Sequence, residues 1–382
     1  MYVIYTQKHD GVSYFFCTFA PTMSGLYIHI PFCKSRCIYC GFYSTTRHDL
    51  CNRYVEAVVR EWQLRRSSVD DPVKTIYLGG GTPSVLSVPQ LYRLFDAVGT
   101  AEEVTLECNP DDVTPAFADA LAGLPVNRVS MGAQTFDDER LRFLRRRHTA
   151  RQVCTAIDNL RRVGIGNISV DLMYGFPGET MSQWRADVEE ALSLDVEHLS
   201  AYALIYEEGT PLYAMQPSPL DEELERSMYY ELKERLEAAG YEHYEISNFA
   251  RPGRRSLHNS NYWNLTPYTG LGAAAHSYDG HSRQWNVDNV MDYITGVETG
   301  CLRFEREELD EDTCYNDLMM TALRTRDGLN LTQLNNRHRS YCLNMAARYV
   351  TNGLLVTDGH TLRLSARGLF VSDMIMADLT MV

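Results

Sequence analysis

No stretch of about 18 or more consecutive apolar residues occurs in this chain, so no segment is long enough to span a bilayer as a helix. Positive charge is also in short supply. The 36 Lys and Arg are outnumbered by 50 Asp and Glu, for a net charge of −14. A generic nucleic-acid binder needs the opposite, because its affinity comes from clustered cations that displace counterions. Cysteine, at ten in 382 residues, is too thin for a disulfide scaffold and suits a reducing cytoplasm. Residues 1–22 do not read as a secretory leader, since they are rich in aromatics but have no basic start followed by an apolar core. They read as an N-terminal extension of doubtful status, upstream of Met23, where the recognisable sequence begins.

What the chain does have is ordinary globular material, 45% hydrophobic and 23% charged. Its length suggests two domains and permits a substantial core. The most specific feature is Cys33, Cys37 and Cys40 in the segment Leu26-Tyr-Ile-His-Ile-Pro-Phe-Cys-Lys-Ser-Arg-Cys-Ile-Tyr-Cys-Gly-Phe42. Three thiolates are one short of the four that complete a structural zinc site or an ordinary 4Fe–4S cluster, so a cluster held this way keeps one iron open. A zinc knuckle and three unrelated buried thiols are the competing readings of the bare spacing. Residues 27–30 alternate large and β-favouring side chains and then meet Pro31, which places the cysteines in a loop at a strand's C-terminal end.

Short runs rich in β-branched and aromatic residues at 26–30, 75–78, 104–107, 128–131, 168–173 and 198–204 predict six strands. Helical patterns fill the gaps at 50–66, 88–98, 115–122, 137–163 and 181–194. Strand-then-helix repetition predicts an α/β fold, an open (β/α)6 partial TIM barrel whose chemistry lies on the loops after the strands. Residues 23–230 form this barrel, and 231–300 complete it and carry a binding loop. The texture changes over 301–382: helices at 313–324, 331–336 and 341–352, strands at 354–357 and 361–364 joined through Asp358-Gly359, and a last helix from Ala366. Helices followed by a small hairpin resemble a winged helix, which gives an α+β C-terminal domain. Such modules often read DNA, but nine arginines, no lysine and eleven acidic residues after position 300 argue for a lid or docking role.

The cysteine segment resembles the signature of the radical S-adenosylmethionine (SAM) enzymes. Tyr27 with His29-Ile-Pro-Phe-Cys33 narrows the resemblance to the family that joins oxygen-independent coproporphyrinogen III oxidase with its heme-chaperone relatives. The resemblance implies a 4Fe–4S cluster on Cys33, Cys37 and Cys40, with the amino and carboxylate groups of SAM on the open iron. It also implies where SAM lies. Gly79-Gly-Gly-Thr-Pro83 would hold its amino group through Gly80, Gly81 and Thr82; glycines there let the backbone approach a ligand, although a tight turn explains them too. Glu107, after the third strand, suits the ribose hydroxyls or amino group of SAM, and Gln134, after the fourth, can donate and accept at once. Arg146, in Arg145-Arg-Arg-His148, falls where the family's carboxylate-binding arginine lies, on a continuing helix whose ordinary reading is a solvated charged face. Asp171 matches the family's ribose or SAM-side aspartate, and Tyr27, Tyr39 and the backbone around Ala273 carry over as further SAM contacts.

Two places separate the branches of the family. The oxidases carry another cysteine two residues after the third, where this chain has Phe42, as the chaperones do. His258-Asn-Ser-Asn-Tyr-Trp263 likewise resembles the chaperones' His-Asn-x-x-Tyr-Trp word. An imidazole able to ligate heme iron, beside two amphipathic aromatics able to stack on a porphyrin, makes His258 the candidate heme ligand. Arg251, Arg254 and Arg255 are candidate partners of the propionates; a surface loop whose aromatics pack back on the barrel is the plain alternative. The resemblance thus implies a radical SAM protein that binds heme and hands it to client hemoproteins, respiratory ones at the membrane surface. It would act in the cytoplasm as a monomer or weak homodimer, with no nucleic-acid partner. Radical oxidative decarboxylation of coproporphyrinogen III is the alternative, and a winged-helix binding protein with a structural metal is a third reading.

Overall fold

In the computed structural model, which describes residues 25–68 and 72–381, all six expected strands form; the extension 1–22 lies outside the described residues. They are β1 (Gly25–Ile30), β2 (Thr75–Gly80), β3 (Glu103–Cys108), β4 (Arg128–Gln134), β5 (Asn167–Tyr174) and β6 (His198–Ala203). One face of each is apolar and buried: Leu26, Ile28 and Ile30, then Ile76 and Leu78, Val104 and Leu106, Val129 and Met131, Ile168 and Val170, and Leu199 and Ala201. The alternate positions carry Tyr27, His29, Thr75, Tyr77, Thr105, Glu107, Arg128, Ser130, Ser169, Asp171, His198 and Ser200. A parallel strand covered by apolar layers on both sides reads as an unbroken hydrophobic run. Strict alternation here means that one face meets helices and the other a polar interior able to hold a polar ligand.

The strands pair in parallel and in chain order. The sheet then continues past both ends. β7 (Glu242–Glu245), β8 (Asn248–Ala250), β9 (Tyr268–Leu271), β10 (His276–Tyr278), β11 (Ser282–Asn286) and β12 (Phe304–Glu308) extend it to twelve strands, in the order β12-β11-β10-β9-β1-β2-β3-β4-β5-β6-β8-β7. β9 runs parallel to β1 and β8 antiparallel to β6, so the sheet is open and the segment after residue 231 completes it on both sides.

Helices α1 (Cys51–Arg65), α2 (Val88–Val98), α3 (Pro115–Leu121), α4 (Asp138–Phe143), α5 (Ala150–Arg162) and α6 (Met181–Ser193) follow the strands. Their starts are written in the sequence. Ser87 with Gln90, Thr149 with Gln152 and Thr180 with Gln183 form capping boxes that satisfy N–H groups at the starts of α2, α5 and α6. The single helix expected over 137–163 is in fact two. Asp137 caps α4 and Thr149 caps α5, and Arg145 between them turns the chain with φ 59.

Helices α7 (Pro211–Met215), α8 (Glu222–Ala238), α9 (Leu257–Trp263) and α10 (Val290–Glu298) serve the second half of the sheet. A boundary at residue 230 therefore falls inside α8, whose Met228, Leu232 and Leu236 are buried in the main core. The boundary at 301 also shifts, because β12 is hydrogen-bonded to β11 in the large sheet. The C-terminal unit begins with α11 (Glu311–Ala322) and continues through β13 (Leu329–Asn330), α12 (Asn336–Thr351), β14 (Leu355–Thr357), β15 (Thr361–Leu364) and α13 (Ser372–Leu379). Tyr315, Met319, Leu331, Cys342, Leu362 and Ile375 give it a core of its own. The helix expected at 331–336 is one 3-10 turn, Leu331–Gln333, and the last helix starts at Ser372 rather than Ala366. Among the described residues no helix is long and apolar enough to cross a membrane.

Candidate metal and cofactor site

The cysteine loop leaves β1 at Pro31 and is closed at its base by backbone bonds. Phe32 and Thr45 form a parallel bridge, the Cys33 N–H donates to the Thr45 carbonyl at 2.9 Å, and the Thr45 N–H donates to Pro31 at 2.7 Å. The tip is pinned across the barrel mouth. Ile38 donates to the Leu144 carbonyl at 3.3 Å and accepts from the Leu212 N–H at 2.9 Å. Its side chain is buried among Leu144, Met173, Phe176, Leu204 and Leu212, so the loop after β1 leans on those after β4, β5 and β6. Lys34 adds an ion pair to Asp112 at 2.6 Å.

The sulfurs themselves carry few partners. The Thr82 hydroxyl is 3.5 Å from Cys33 Sγ, and Nη1 of Arg146 is 3.7 Å from Cys37 Sγ. Burial pushes the Cys33 and Cys40 thiols above their ordinary range, so their protons leave when a metal displaces them. Among the described residues no three His, Cys, Asp or Glu side chains are grouped to hold one metal ion. Ligands of a cluster bind different irons and stand apart.

The glycine loop is fitted against this base. A Cβ on Gly81 would lie 2.9 Å from the Ile30 and Phe32 carbonyl oxygens, and one on Gly79 would lie 2.8 Å from the Tyr77 ring. The Gly81 and Thr82 amides donate to Ile30 and Phe32 at 2.9 Å, and the Gly80 amide to Glu107 at 3.2 Å. With these N–H groups spent, carbonyl oxygens are what the loop offers, a surface suited to an ammonium. Glu107 also accepts from the Tyr77 hydroxyl at 2.7 Å, and burial pushes its carboxyl up to about 7. Gln134, at φ 68, stands where the β4–β5 register shifts.

The broken helix is what delivers Arg146. Released from helical geometry after Arg145, its guanidinium reaches inward, with Nη2 donating to Asn109 Oδ1 at 2.8 Å and to the Gly132 carbonyl, while Nε is buried without a partner. A buried charged donor with no acceptor is costly unless a ligand supplies one. Asp171, level with Gly132 across the sheet, accepts from the Ser130 hydroxyl at 3.5 Å, and burial raises its pKa. Tyr39 is half-buried beside Arg146 and Cys37. The structure therefore groups the cysteine loop, the glycine loop, Glu107, Gln134, Arg146, Asp171 and Tyr39 at the mouth. Sequence reasoning missed Tyr77 and Asn109, although one is two residues before the glycines and the other two after Glu107.

Two contacts are less direct than expected. The Tyr27 hydroxyl is engaged with His29 Nδ1 at 3.0 Å, with its ring against Tyr77. The Ala273 N–H is taken by the Tyr54 hydroxyl at 2.9 Å.

His258 is not brought to this site. It lies at the opposite end of the barrel, beside the first residues of β1 and β2, and is almost wholly buried. Its Nδ1 meets Thr75 Oγ1 and its Nε2 meets the Tyr262 hydroxyl, each at 2.9 Å, and its ring stacks on Tyr77 with centroids 5.1 Å apart. Burial lowers its pKa to about 3. Glu103 fixes the helix start by accepting from the Leu257 and His258 amides at 2.9 Å. The expected heme ligand thus has no nitrogen free, because α9 closes the barrel floor and its polar side chains satisfy one another. Two of the three propionate arginines are similarly engaged: Arg251 pairs with Asp195 at 2.8 Å, and Arg255 with Glu242 at 3.2 Å and Asp327 at 3.3 Å, while Arg254 is exposed.

The Radical SAM superfamily profile matches residues 27–191, and the HemN C-terminal domain profile matches residues 309–371. The fold is shared with a solved structure, coproporphyrinogen III oxidase (HemN) from Escherichia coli, a radical SAM enzyme, with a TM-score of 0.83 over 95% of this chain and 91% of that one at 21% identity. Fold and site together define the radical SAM class. Among curated relatives, heme chaperone HemW of Lactococcus lactis is 34% identical over 90% of this chain and 93% of its own. HemW of Bacillus subtilis is 38% identical over 80% and 85%. Radical S-adenosyl methionine domain-containing protein 1, mitochondrial, of Bos taurus is 33% identical over 93% and 87%. The chain belongs to the HemW family of the radical SAM superfamily. A 4Fe–4S cluster and SAM come with the radical SAM domain, and the three lightly engaged thiols and the unpartnered Arg146 Nε fit them.

Proposed function

We propose that this protein binds heme alongside its cluster and SAM and delivers the heme to client hemoproteins. The observation that carries the reading is the alignment of nearly the whole chain with heme chaperones. Phe42, where an oxidase has a further cysteine, supports it against coproporphyrinogen III decarboxylation. When bound, the cluster supplies an electron and an open iron for SAM. Cys33, Cys37 and Cys40 would hold the cluster, Arg146 Nε would donate to the SAM carboxylate, and the carbonyls of the glycine loop would accept from its amino group. Glu107, Gln134 and Asp171 would hold the adenosyl side, and Ile38 with Tyr39 would keep water from the loop. The clients are respiratory proteins at the membrane surface. The protein works in the cytoplasm as a monomer or weak homodimer, and its net charge of −14 supports a life without nucleic acid.

Anaerobic reconstitution followed by heme titration at the Soret band, run beside a coproporphyrinogen III turnover assay, tests the reading. Stoichiometric heme binding without turnover is the expected result. Turnover without heme affinity would replace the chaperone with the oxidase.

A further inference from the structure

With His258 enclosed, a porphyrin needs another seat. The three most exposed large apolar side chains among the described residues are Ile205 at 73%, Phe42 at 70% and Met215 at 56%. Such groups scattered singly need no explanation, but these belong to two segments that touch. Phe42 lies in the cysteine loop, and Ile205 and Met215 in the segment from the end of β6 through α7. The Leu212 N–H donates to Ile38 across the join at 2.9 Å. A Cβ on Gly41 would stand 2.1 Å from the Glu207 carboxylate, so the neighbours of Phe42 and Ile205 are in contact.

Charge around this lip is uneven. Arg36, two residues before Ile38, and Arg145, next to the Leu144 that Ile38 meets, are both exposed. Neither guanidinium has a hydrogen-bond or ion-pair partner among the described residues. Glu207 stands by Gly41 instead, at the Phe42 side. A flat apolar molecule with two carboxylates along one edge matches that arrangement: apolar surface for the ring, cations for one edge, an anion that turns the acidic edge away. Met215 adds a thioether, one of the side chains that ligate heme iron.

We propose that heme docks on this lip, its macrocycle against Phe42, Ile205 and Met215 and its propionates toward Arg36 and Arg145. The proposal rests on the heme reading above and places the cargo beside the cluster, on the same loop. The test is a Soret titration of reconstituted wild type and of a Phe42→Glu, Ile205→Glu double variant. The expected result is heme affinity weaker by about tenfold or more, since two apolar contacts are lost and two carboxylates would be covered by the macrocycle. An Ile205→Glu, Met215→Glu pair repeats the test without altering the cysteine loop. Arg36→Glu with Arg145→Glu weakens heme binding more than binding of its dimethyl ester, which lacks the propionate charges. Wild type that binds no heme overturns the heme reading itself. Wild-type binding that survives in both apolar variants overturns the lip alone. Altered self-association or client binding in those variants, with heme affinity intact, assigns the lip to a protein partner and likewise overturns the proposal.

Discussion

At the mouth of the barrel, a hydroxyl stands 3.5 Å from the Cys33 sulfur and a guanidinium 3.7 Å from that of Cys37, and the base of the loop that carries them is closed by main-chain bonds. At the floor, His258 spends both nitrogens on Thr75 and Tyr262 and its ring on Tyr77. Both ends combine a soft or basic donor with aromatic neighbours. The difference lies in which atoms do the structural work. Where the backbone carries the load, side chains stay free for a ligand; where side chains carry it, the donor is consumed.

Replacing any one of Cys33, Cys37 or Cys40 with Ala breaks the mouth most completely. Two thiolates remain, and the cluster is lost outright by iron and sulfide assay, whereas urea unfolding of the Cys37 and Cys40 variants moves by no more than about 1 kcal/mol. Full cluster content in any of the three would sink the assignment. At the floor the expectation is reversed. His258→Ala takes a partner from the Thr75 and Tyr262 hydroxyls and leaves a gap against Tyr77, and lowers stability by about 2–4 kcal/mol in urea. Heme affinity of the folded fraction stays at the wild-type value; a vanished Soret band with unchanged unfolding would restore the imidazole as ligand.

Arg146→Met sharpens the contrast within the mouth. Loss of a charged donor weakens SAM binding by about 10–100-fold in calorimetry, corresponding to about 1.5–3 kcal/mol. Arg146→Lys recovers only part of it, because an ammonium lacks the planar fork. The smallest effect concerns Glu107. Its folded pKa is raised by burial from 4.5 to about 7, so its stabilising contribution is complete below 4.5 and disappears as pH rises through about 7. SAM binding runs the other way, strengthening over the upper part of that window as the carboxylate forms. Glu107→Gln flattens both slopes, and a pH profile identical to wild type would remove Glu107 from the site.

The mouth was the more legible end. Six strands show in the sequence as runs of β-branched and aromatic residues, and the cysteine and glycine loops sit at their C-terminal ends as the parallel topology requires. The break between α4 and α5 was hidden, because 137–163 keeps a helical pattern and a non-glycine residue at φ 59 leaves no local signal. Its cost in foresight was the orientation of Arg146. The floor misled for a different reason: whether an imidazole is free depends on partners such as Thr75, 183 residues away, which no local word contains. The outer strands were missed too, since β12 is exposed along its whole length and carries no core pattern.

The bridge between Phe32 and Thr45 has a bearing on how the protein endures oxygen. The amide-to-carbonyl bonds at the base of the cysteine loop come from the chain itself, so this part of the loop's order does not depend on iron. A chain that loses its cluster would keep that closure, and reloading would then call for iron and sulfide at Cys33, Cys37 and Cys40 rather than for refolding of the base.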